Sequence, residues 1–352
     1  MQNPILLSAV SPLCRWYEKN KKYYPWRESR DPYRIWISEV MLQQTRTAAV
    51  LPYYERFLSA FPTVEALANA EDDRLMKLWE GLGYYSRARN LKKGAMQIME
   101  RFDGALPRTK AELVTIAGIG DYTAGAIASM AFGEPSSAVD GNVLRVCMRL
   151  LGSDADISKD ATKKELARAL DAVYPSGKEA ALFTEGLMEL GEAVCIPGGE
   201  ARCALCPLAE LCLAKAGGIT HLLPAKSAKK PRKILERTLF IFKYNECFGI
   251  GKRPSKGLLA DLYEFIAEDT PLTEAEVKDL LAARGIRFSS VQPIGEAVHI
   301  FTHLEWHMRG YLVSLDAPIE GLIFATKEEL SSTYALPSAF RYFKQYIEKN
   351  EP

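Results

Sequence analysis

No stretch of this sequence approaches the roughly 20 consecutive apolar residues that a membrane-spanning helix requires, so a helical membrane span is excluded. An export leader is also missing. The segment MQNPILLSAVSPLCRWYEKN has apolar residues but neither a basic n-region nor a small-residue cleavage site, so it reads as a helix and points to a cytoplasmic location, nucleoid-associated if bacterial. Strong charge of either sign is absent: the formal net charge is +1, which neither supports nor excludes a polyanionic partner. No fixed-period repeat is present. The 7 cysteines do not form a disulfide framework, because the number is odd and Cys195, Cys203, Cys206 and Cys212 crowd into a single stretch. In a reducing compartment such clustering means metal, whereas Cys14, Cys147 and Cys247 read as buried small hydrophobes.

What is present is a chain of 352 residues with 48% hydrophobic and 25% charged residues, the composition of a soluble globular protein with two or three domains. Residues 1–220 read almost wholly as helix. Asp31-Pro32 is a helix start, with a capping acid before proline at the first helical position, and YRIWISEVMLQQ follows with an apolar face at helical spacing. Thr45 is expected to cap a second helix and Thr63 a third, and Thr109-Lys-Ala-Glu112 is a capping box. The stretch after His221, LLPAKSAKKPRKILER, holds two prolines and six basic residues (Lys226, Lys229, Lys230, Arg232, Lys233, Arg237) and reads as a linker. Beyond it, TLFIFKY, CFGIG, LYEFIA, VHIFTH and GYLVSL alternate like strands, with helical segments TEAEVKDLLAARG and PSAFRYFKQYIEKN, the pattern of an α+β domain.

Two features carry chemistry. In LVTIAGIGDYTAGAIASMAFG, Gly118 and Gly120 interrupt two helices, which lets backbone N–H groups meet phosphate oxygens at the start of the second one. An ordinary helix connection is the competing reading. The cysteines are separated by seven, two and five residues. Four thiolates fix either a zinc ion or an iron–sulfur cluster, and a single short pair with unequal gaps on either side favours [4Fe–4S].

The hairpin, an aspartate some twenty residues on and the four clustered cysteines together resemble the helix-hairpin-helix DNA glycosylases. WISEVMLQQT (36–45), GLGYYSRARNL (81–91) and VDGNVLRV (139–146) are similar to the adenine DNA glycosylases of the MutY type, with the resemblance running from Tyr24 to Cys212. The gap between Cys195 and Cys203 is one residue longer than the family's usual spacing, an insertion that Pro197-Gly-Gly199 can absorb. The resemblance implies an all-α region over 1–220, in which about 28–138 form a six-helix module with the hairpin, while 1–27 and 139–220 form the module that carries one [4Fe–4S] cluster. Residues 221–235 would be the linker, and 236–352 a Nudix-like (MutT-like) domain that reads the lesion. The implied partner is double-stranded DNA with adenine opposite 8-oxoguanine or guanine. The chain is expected to act as a monomer, with replication or repair proteins as further candidate partners.

Breaking an N-glycosidic bond through an oxocarbenium-like sugar needs an acid for the departing base, a carboxylate for the sugar cation, and a base flipped from the stack. The resemblance gives the acid role, protonating adenine N7, to Glu39 and the carboxylate role to Asp140, with Tyr122 and Asn142 in support. Glu185 would stand on the adenine pocket wall, Leu42, Gln44 and Tyr84 near the lesion pair, and Arg27 with Arg87 and Arg89 in a groove or phosphate role. Solvated side chains, core aromatics at Tyr84 and Tyr85, and a plain helix cap at Asp140 are the ordinary alternatives. The apolar setting of Glu39 in Val40-Met41-Leu42 suggests a desolvated acid with a raised pKa. Related bifunctional enzymes carry a Schiff-base lysine where Tyr122 stands, and a phenol cannot form that bond, so monofunctional base removal is implied.

In the second domain, KGLLADLYEF resembles the Nudix segment, but the acidic metal-binding cluster of a Nudix hydrolase does not follow Gly257. Phe301-Thr302-His303 matches the family's Phe-Ser-His loop with the hydroxyl kept. His299, His303 and His307 recur every four residues. On one strand they would span more than about 25 Å, too far to share an ion. The competing functions are a bifunctional endonuclease III-type glycosylase and a non-catalytic iron–sulfur DNA-sensing protein.

Overall fold

Asp31 caps its helix as the sequence predicts, accepting hydrogen bonds from the backbone N–H groups of Tyr33 and Arg34 in the computed structural model, which describes residues 2–228 and 231–349. The helices up to residue 216 are, in chain order, α1 (Pro4–Asn20), α2 (Pro32–Leu42), α3 (Thr47–Ala60), α4 (Val64–Ala68), α5 (Asp72–Trp79), α6 (Ser86–Phe102), α7 (Lys110–Leu113), α8 (Asp121–Phe132), α9 (Gly141–Leu150), α10 (Asp160–Asp171), α11 (Lys178–Ala193) and α12 (Leu213–Ala216). No strand occurs among the described residues of this stretch. Thr63 caps α4 through the Ala66 N–H at 3.1 Å. Thr45 does not cap α3. Gln44 adopts φ 58° and turns the chain sharply after α2, so the Thr45 hydroxyl points back to the Gln43 carbonyl at 3.4 Å and Arg46 takes the capping position.

The chain divides into two units: Met1–Asn69 with Arg89–Ala228, and Ala70–Ala88 with Lys229–Pro352. In the first, α1 packs on α11 and shares one core with α9 and α10 that contains Leu6, Leu13, Tyr17, Val143, Leu170 and Leu190, all nearly inaccessible to solvent. Each such side chain contributes roughly 1.5–3 kcal/mol on burial, so the chain's first helix is held by its partners far along the sequence rather than by its neighbours.

The second unit is built on a seven-stranded mixed sheet of order β3-β2-β1-β6-β5, with β4 paired to β1 and β7 to β2. Its strands are β1 (Lys233–Tyr244), β2 (Cys247–Lys252), β3 (Tyr263–Glu264), β4 (Ile266–Glu268), β5 (Phe288–Ile300), β6 (Leu304–Leu315) and β7 (Ile323–Ala325); its later helices are α13 (Glu274–Ala283), α14 (Lys327–Ser332) and α15 (Arg341–Lys349). The two-residue alternation of β1 sends Phe240 and Phe242 under Val277 and Leu281 of α13. Its other face sends Leu239 and Ile241 toward Phe340 and Phe343.

Three boundaries differ from the sequence reading. Residues 221–228 pack on the first unit, where Ala225 O accepts from Ile157 N at 3.1 Å and Leu223 O from Arg149 Nε at 2.8 Å. Strand β1 begins inside the expected linker because it pairs in parallel with β6 from Lys233↔Leu304 onward. Residues 70–88 group with the second unit: Asp73 accepts from Lys252 Nζ at 2.8 Å and from the Tyr263 hydroxyl at 3.0 Å, and Lys77 Nζ donates to the Leu330 and Tyr334 carbonyls. Lys229, Lys230 and Asn350, which belong to the linker and last-helix readings, lie outside the described residues. Cys14 and Cys147 are buried as expected, but Cys247 is only half-buried because it opens β2 at a hairpin turn.

Candidate functional site

A cleft of about 1060 Å³ opens in the first unit. It brings together Arg27, Glu39, Leu42, Gln44, Gly118, Gly120, Tyr122, Asp140, Asn142 and Glu185, every candidate of this unit outside the cysteines except Arg89, which does not line it. Helix α2 supplies Glu39 from its apolar run, leaving it 4% exposed. The Tyr122 phenol, from the first turn of α8, donates to Glu39 Oε2 at 2.6 Å. Burial pushes Glu39 up to about 7; the Tyr122 hydrogen bond and the Arg27 charge pull the other way, while Asp140 and Glu185 add to the rise. Burial, and next the Glu39 charge, drives the Tyr122 phenol well above its ordinary range.

Asp140 is the helix cap that its position before Gly141-Asn142 suggests, and it lines the cleft as well. Its Oδ1 accepts from Val143 N at 2.7 Å and its Oδ2 from Asn142 Nδ2 at 3.1 Å. Burial raises its pKa, and these hydrogen bonds oppose the rise by favouring the carboxylate. Asn142 is held in turn. Its Oδ1 accepts from Arg145, whose guanidinium also donates to the Gly191 and Cys195 carbonyls, both at 2.7 Å. A Cβ on Gly191 would stand 2.7 Å from Asn142 Cβ, so only glycine lets α11 come this close to α9. Arg145→Leu would leave three acceptors unsatisfied at a position only 7% exposed. A loss of about 2–4 kcal/mol is expected, readable as a lower urea midpoint.

Sequence reasoning placed Glu185 on the pocket wall but missed Glu189 and the ion pairs that both carboxylates make. On α11, Glu185 is 3% exposed and accepts from Arg30 at 2.9 and 3.2 Å. One turn on, Glu189 is 1% exposed and pairs with Arg27 at 2.6 Å and Lys22 at 3.2 Å. The signal was there: two glutamates four apart inside the apolar run LFTEGLMELGEAV. Arg27, read as a DNA-facing residue, is turned onto Glu189 and over the Tyr24 ring, 4.9 Å from its centroid. Gly118 takes φ 79° with its α-carbon against Asn90, and Gly120 caps α8 beside the cleft.

The cysteines stand apart from this chemistry. Cys195, Cys203, Cys206 and Cys212 line one small pocket walled by Val146, Leu150, Leu190 and Leu208. Arg149, 4% exposed, donates to Cys195 Sγ at 3.3 Å and to Ile196 O at 3.0 Å, and Cys212 Sγ lies 3.3 Å from Arg149 O. Among the described residues, no three His, Cys, Asp or Glu converge closely enough for a single metal ion. Of the basic residues near the loop, Arg202 reaches the Ala193 carbonyl at 3.3 Å and Lys215 pairs with Glu210 at 2.9 Å.

The remaining candidates, Arg89 apart, belong to the second unit. Tyr84, at φ 45° and 46% exposed, hydrogen-bonds through its hydroxyl to Thr302 Oγ1 at 3.0 Å, whereas Tyr85 is buried in the manner of a core aromatic. Arg87 is buried, braces the Leu82 and Gly83 carbonyls, and lies over Trp79; burial pushes it down to about 10. Phe301, Thr302 and His303 form the tight turn between β5 and β6, closed by Phe301 N to Leu304 O at 2.9 Å. The single-strand premise for the histidines therefore fails: His299 is on β5, His303 in the turn and His307 on β6, where Val298 rather than His299 is paired with His307. The acids of α13 are engaged locally, Glu274 with Lys278 and Glu276 in the Thr273 capping box.

The profile of the HhH-GPD superfamily of base excision DNA repair proteins matches residues 37–172, and that of the NUDIX domain residues 237–346. The adenine DNA glycosylase of Homo sapiens is 31% identical over 95% of this chain and 73% of its own length. That of Buchnera aphidicola subsp. Acyrthosiphon pisum (strain APS) is 31% identical over 86% of this chain and 85% of its own. A solved thermostable thymine-DNA glycosylase covers 60% of this chain and 97% of that one at TM-score 0.55 and 27% identity. An endonuclease III–DNA complex, at TM-score 0.51 and 24% identity over 62% of this chain and 99% of that one, shares the fold. By descent and by fold, the chain belongs to the adenine DNA glycosylase family.

Proposed function

We propose that the chain excises adenine mispaired with 8-oxoguanine or guanine in duplex DNA, by monofunctional hydrolysis of the N-glycosidic bond. Glu39 carries this reading: a carboxyl buried in the cleft, bonded by a phenol and pushed up to about 7, keeps its proton in about half of the molecules at neutral pH and in most of them just below it. With adenine flipped into the cleft, Glu39 gives that proton to N7 as the C1′–N9 bond breaks and its electron pair leaves with the base. Asp140, kept anionic by the Val143 and Asn142 N–H groups, faces the sugar cation until water adds at C1′ and releases its own proton. Among the described residues lining the cleft there is no lysine, which supports hydrolysis over Schiff-base chemistry. Thr302 and His303, with Tyr84 hydrogen-bonded to the first, would read the oxidised guanine.

Cys195, Cys203, Cys206 and Cys212 would hold one [4Fe–4S] cluster. Four thiols lining one apolar pocket are the donor set that a [4Fe–4S] cluster takes, and the buried Arg149 N–H to Cys195 Sγ suits an anionic sulfur. Such a cluster supplies cross-linking of the 195–212 loop. Adenine release from a duplex with adenine opposite 8-oxoguanine is the test, together with iron and sulfide analysis. No release at full cluster occupancy, or borohydride trapping of a covalent enzyme–DNA adduct, would overturn the corresponding half of the reading.

A further inference from the structure

Glu189 does not line the cleft, yet Arg27, to which it is bound at 2.6 Å, does. Its carboxylate is 1% exposed and shared with Lys22 at 3.2 Å, and Lys22 lies 3.8 Å from Glu192. The groups that face Glu39 are Tyr122 of α8, Asp140 at the start of α9, Glu185 of α11 with Arg30 upon it, and Arg27 of the 25–27 turn. Arg27 is the cation whose charge is felt at Glu39, and it favours the carboxylate over the acid. An uncompensated guanidinium on the cleft wall would therefore strip the proton that base departure needs.

We propose that Glu189 is a positioning residue for base excision: it fixes the Arg27 guanidinium against the cleft wall and offsets its charge, so that Glu39 keeps the proton it delivers. The proposal rests on the adenine-excision reading for the use of that proton, but the proton itself can be measured without DNA. Glu189 acts at one remove, and Lys22 competes for it. Removing the carboxylate leaves Arg27 uncompensated, while removing Lys22 leaves Glu189 wholly to Arg27, so the two changes act on Glu39 with opposite sign.

The test is the titration of the Glu39 carboxylic acid band in difference infrared spectra of the holoprotein, with Glu39→Gln as the reference, beside single-turnover excision from pH 5 to 9. Glu189→Gln is expected to lower the infrared midpoint, and with it the alkaline limb of the rate profile, by about one unit. Lys22→Met, at a half-exposed position where folding is safe, is expected to raise both by a smaller amount. Midpoints that stay in place, or move the same way in both variants, would overturn the proposal, as would a rate loss in Glu189→Gln that is equal at every pH. Should Glu189→Gln fail to fold, Lys22→Met decides alone. A wild-type chain that releases no adenine would refute the excision reading while leaving the infrared midpoints to decide this one.

Discussion

Asp140→Asn is expected to lower adenine release by on the order of a thousandfold while leaving the fold and duplex binding intact. The substitution separates the two duties of this side chain. As a cap, Asp140 offers Oδ1 to the Val143 N–H, and asparagine is an equally good cap, so α9 should still begin at Gly141. As a charge, it would offset the positive sugar that the proposed reaction forms as adenine leaves, and an amide cannot do so. Single-turnover rates on a duplex with adenine opposite 8-oxoguanine, set beside binding by fluorescence anisotropy and thermal melting, distinguish the duties. Unchanged excision would refute the assignment, and so would loss of melting temperature and activity together.

Glu39→Gln is expected to cost about 10²–10⁴-fold in excision and, at alkaline pH, to stabilise the fold. Wild-type activity should fall as pH rises through about 7, where the buried acid ionises, whereas the residual rate of the variant should not show that limb. The stability effect has the same origin. The folded-state pKa of about 7 lies above the ordinary 4.5, so the native state binds more protons than the unfolded one between those values. Glu39 therefore costs nothing at acid pH, and its penalty grows as pH climbs to about 7, reaching on the order of 1–3 kcal/mol above it. Urea unfolding at pH 8 should show the variant more stable than wild type, by a margin that shrinks at pH 5. A margin independent of pH would remove the desolvated acid from the account.

What could be read from the sequence was local. Asp31, Thr63 and the Gly118–Gly120 interruption sit within a few residues of what they govern: the first two cap their helices, and the glycines separate α7 from α8. Thr45 misled because its neighbour Gln44, with no glycine to announce it, adopts a left-handed turn. Strand β1 ran into the basic linker because its pairing with β6 joins residues some seventy apart, which no local pattern reveals. The histidines misled for the same reason, a tight turn at Phe301–His303 having been read as continuous strand. At the site, Glu39 and Asp140 were reached through motif resemblance, and the apolar setting of Glu39 did foretell its raised pKa. Arg30 with Glu185 and Arg27 with Glu189 were not reached, since each pair spans more than 150 positions.

The docking of α1 on helices that lie between Gly141 and Ala193 sets an order of events during synthesis. At about 5–20 residues per second, the first helix leaves the ribosome roughly 10–35 s before its last partner exists. Through that interval Leu6, Leu13 and Tyr17 have no native surface to bury against, and the nascent chain must be kept from finding a wrong one. Arg27 likewise waits for Glu189, and the thiols of the 195–212 loop arrive later still. The Arg27–Glu189 pair and the grouping of the four thiols therefore exist only once nearly the whole first unit has been made.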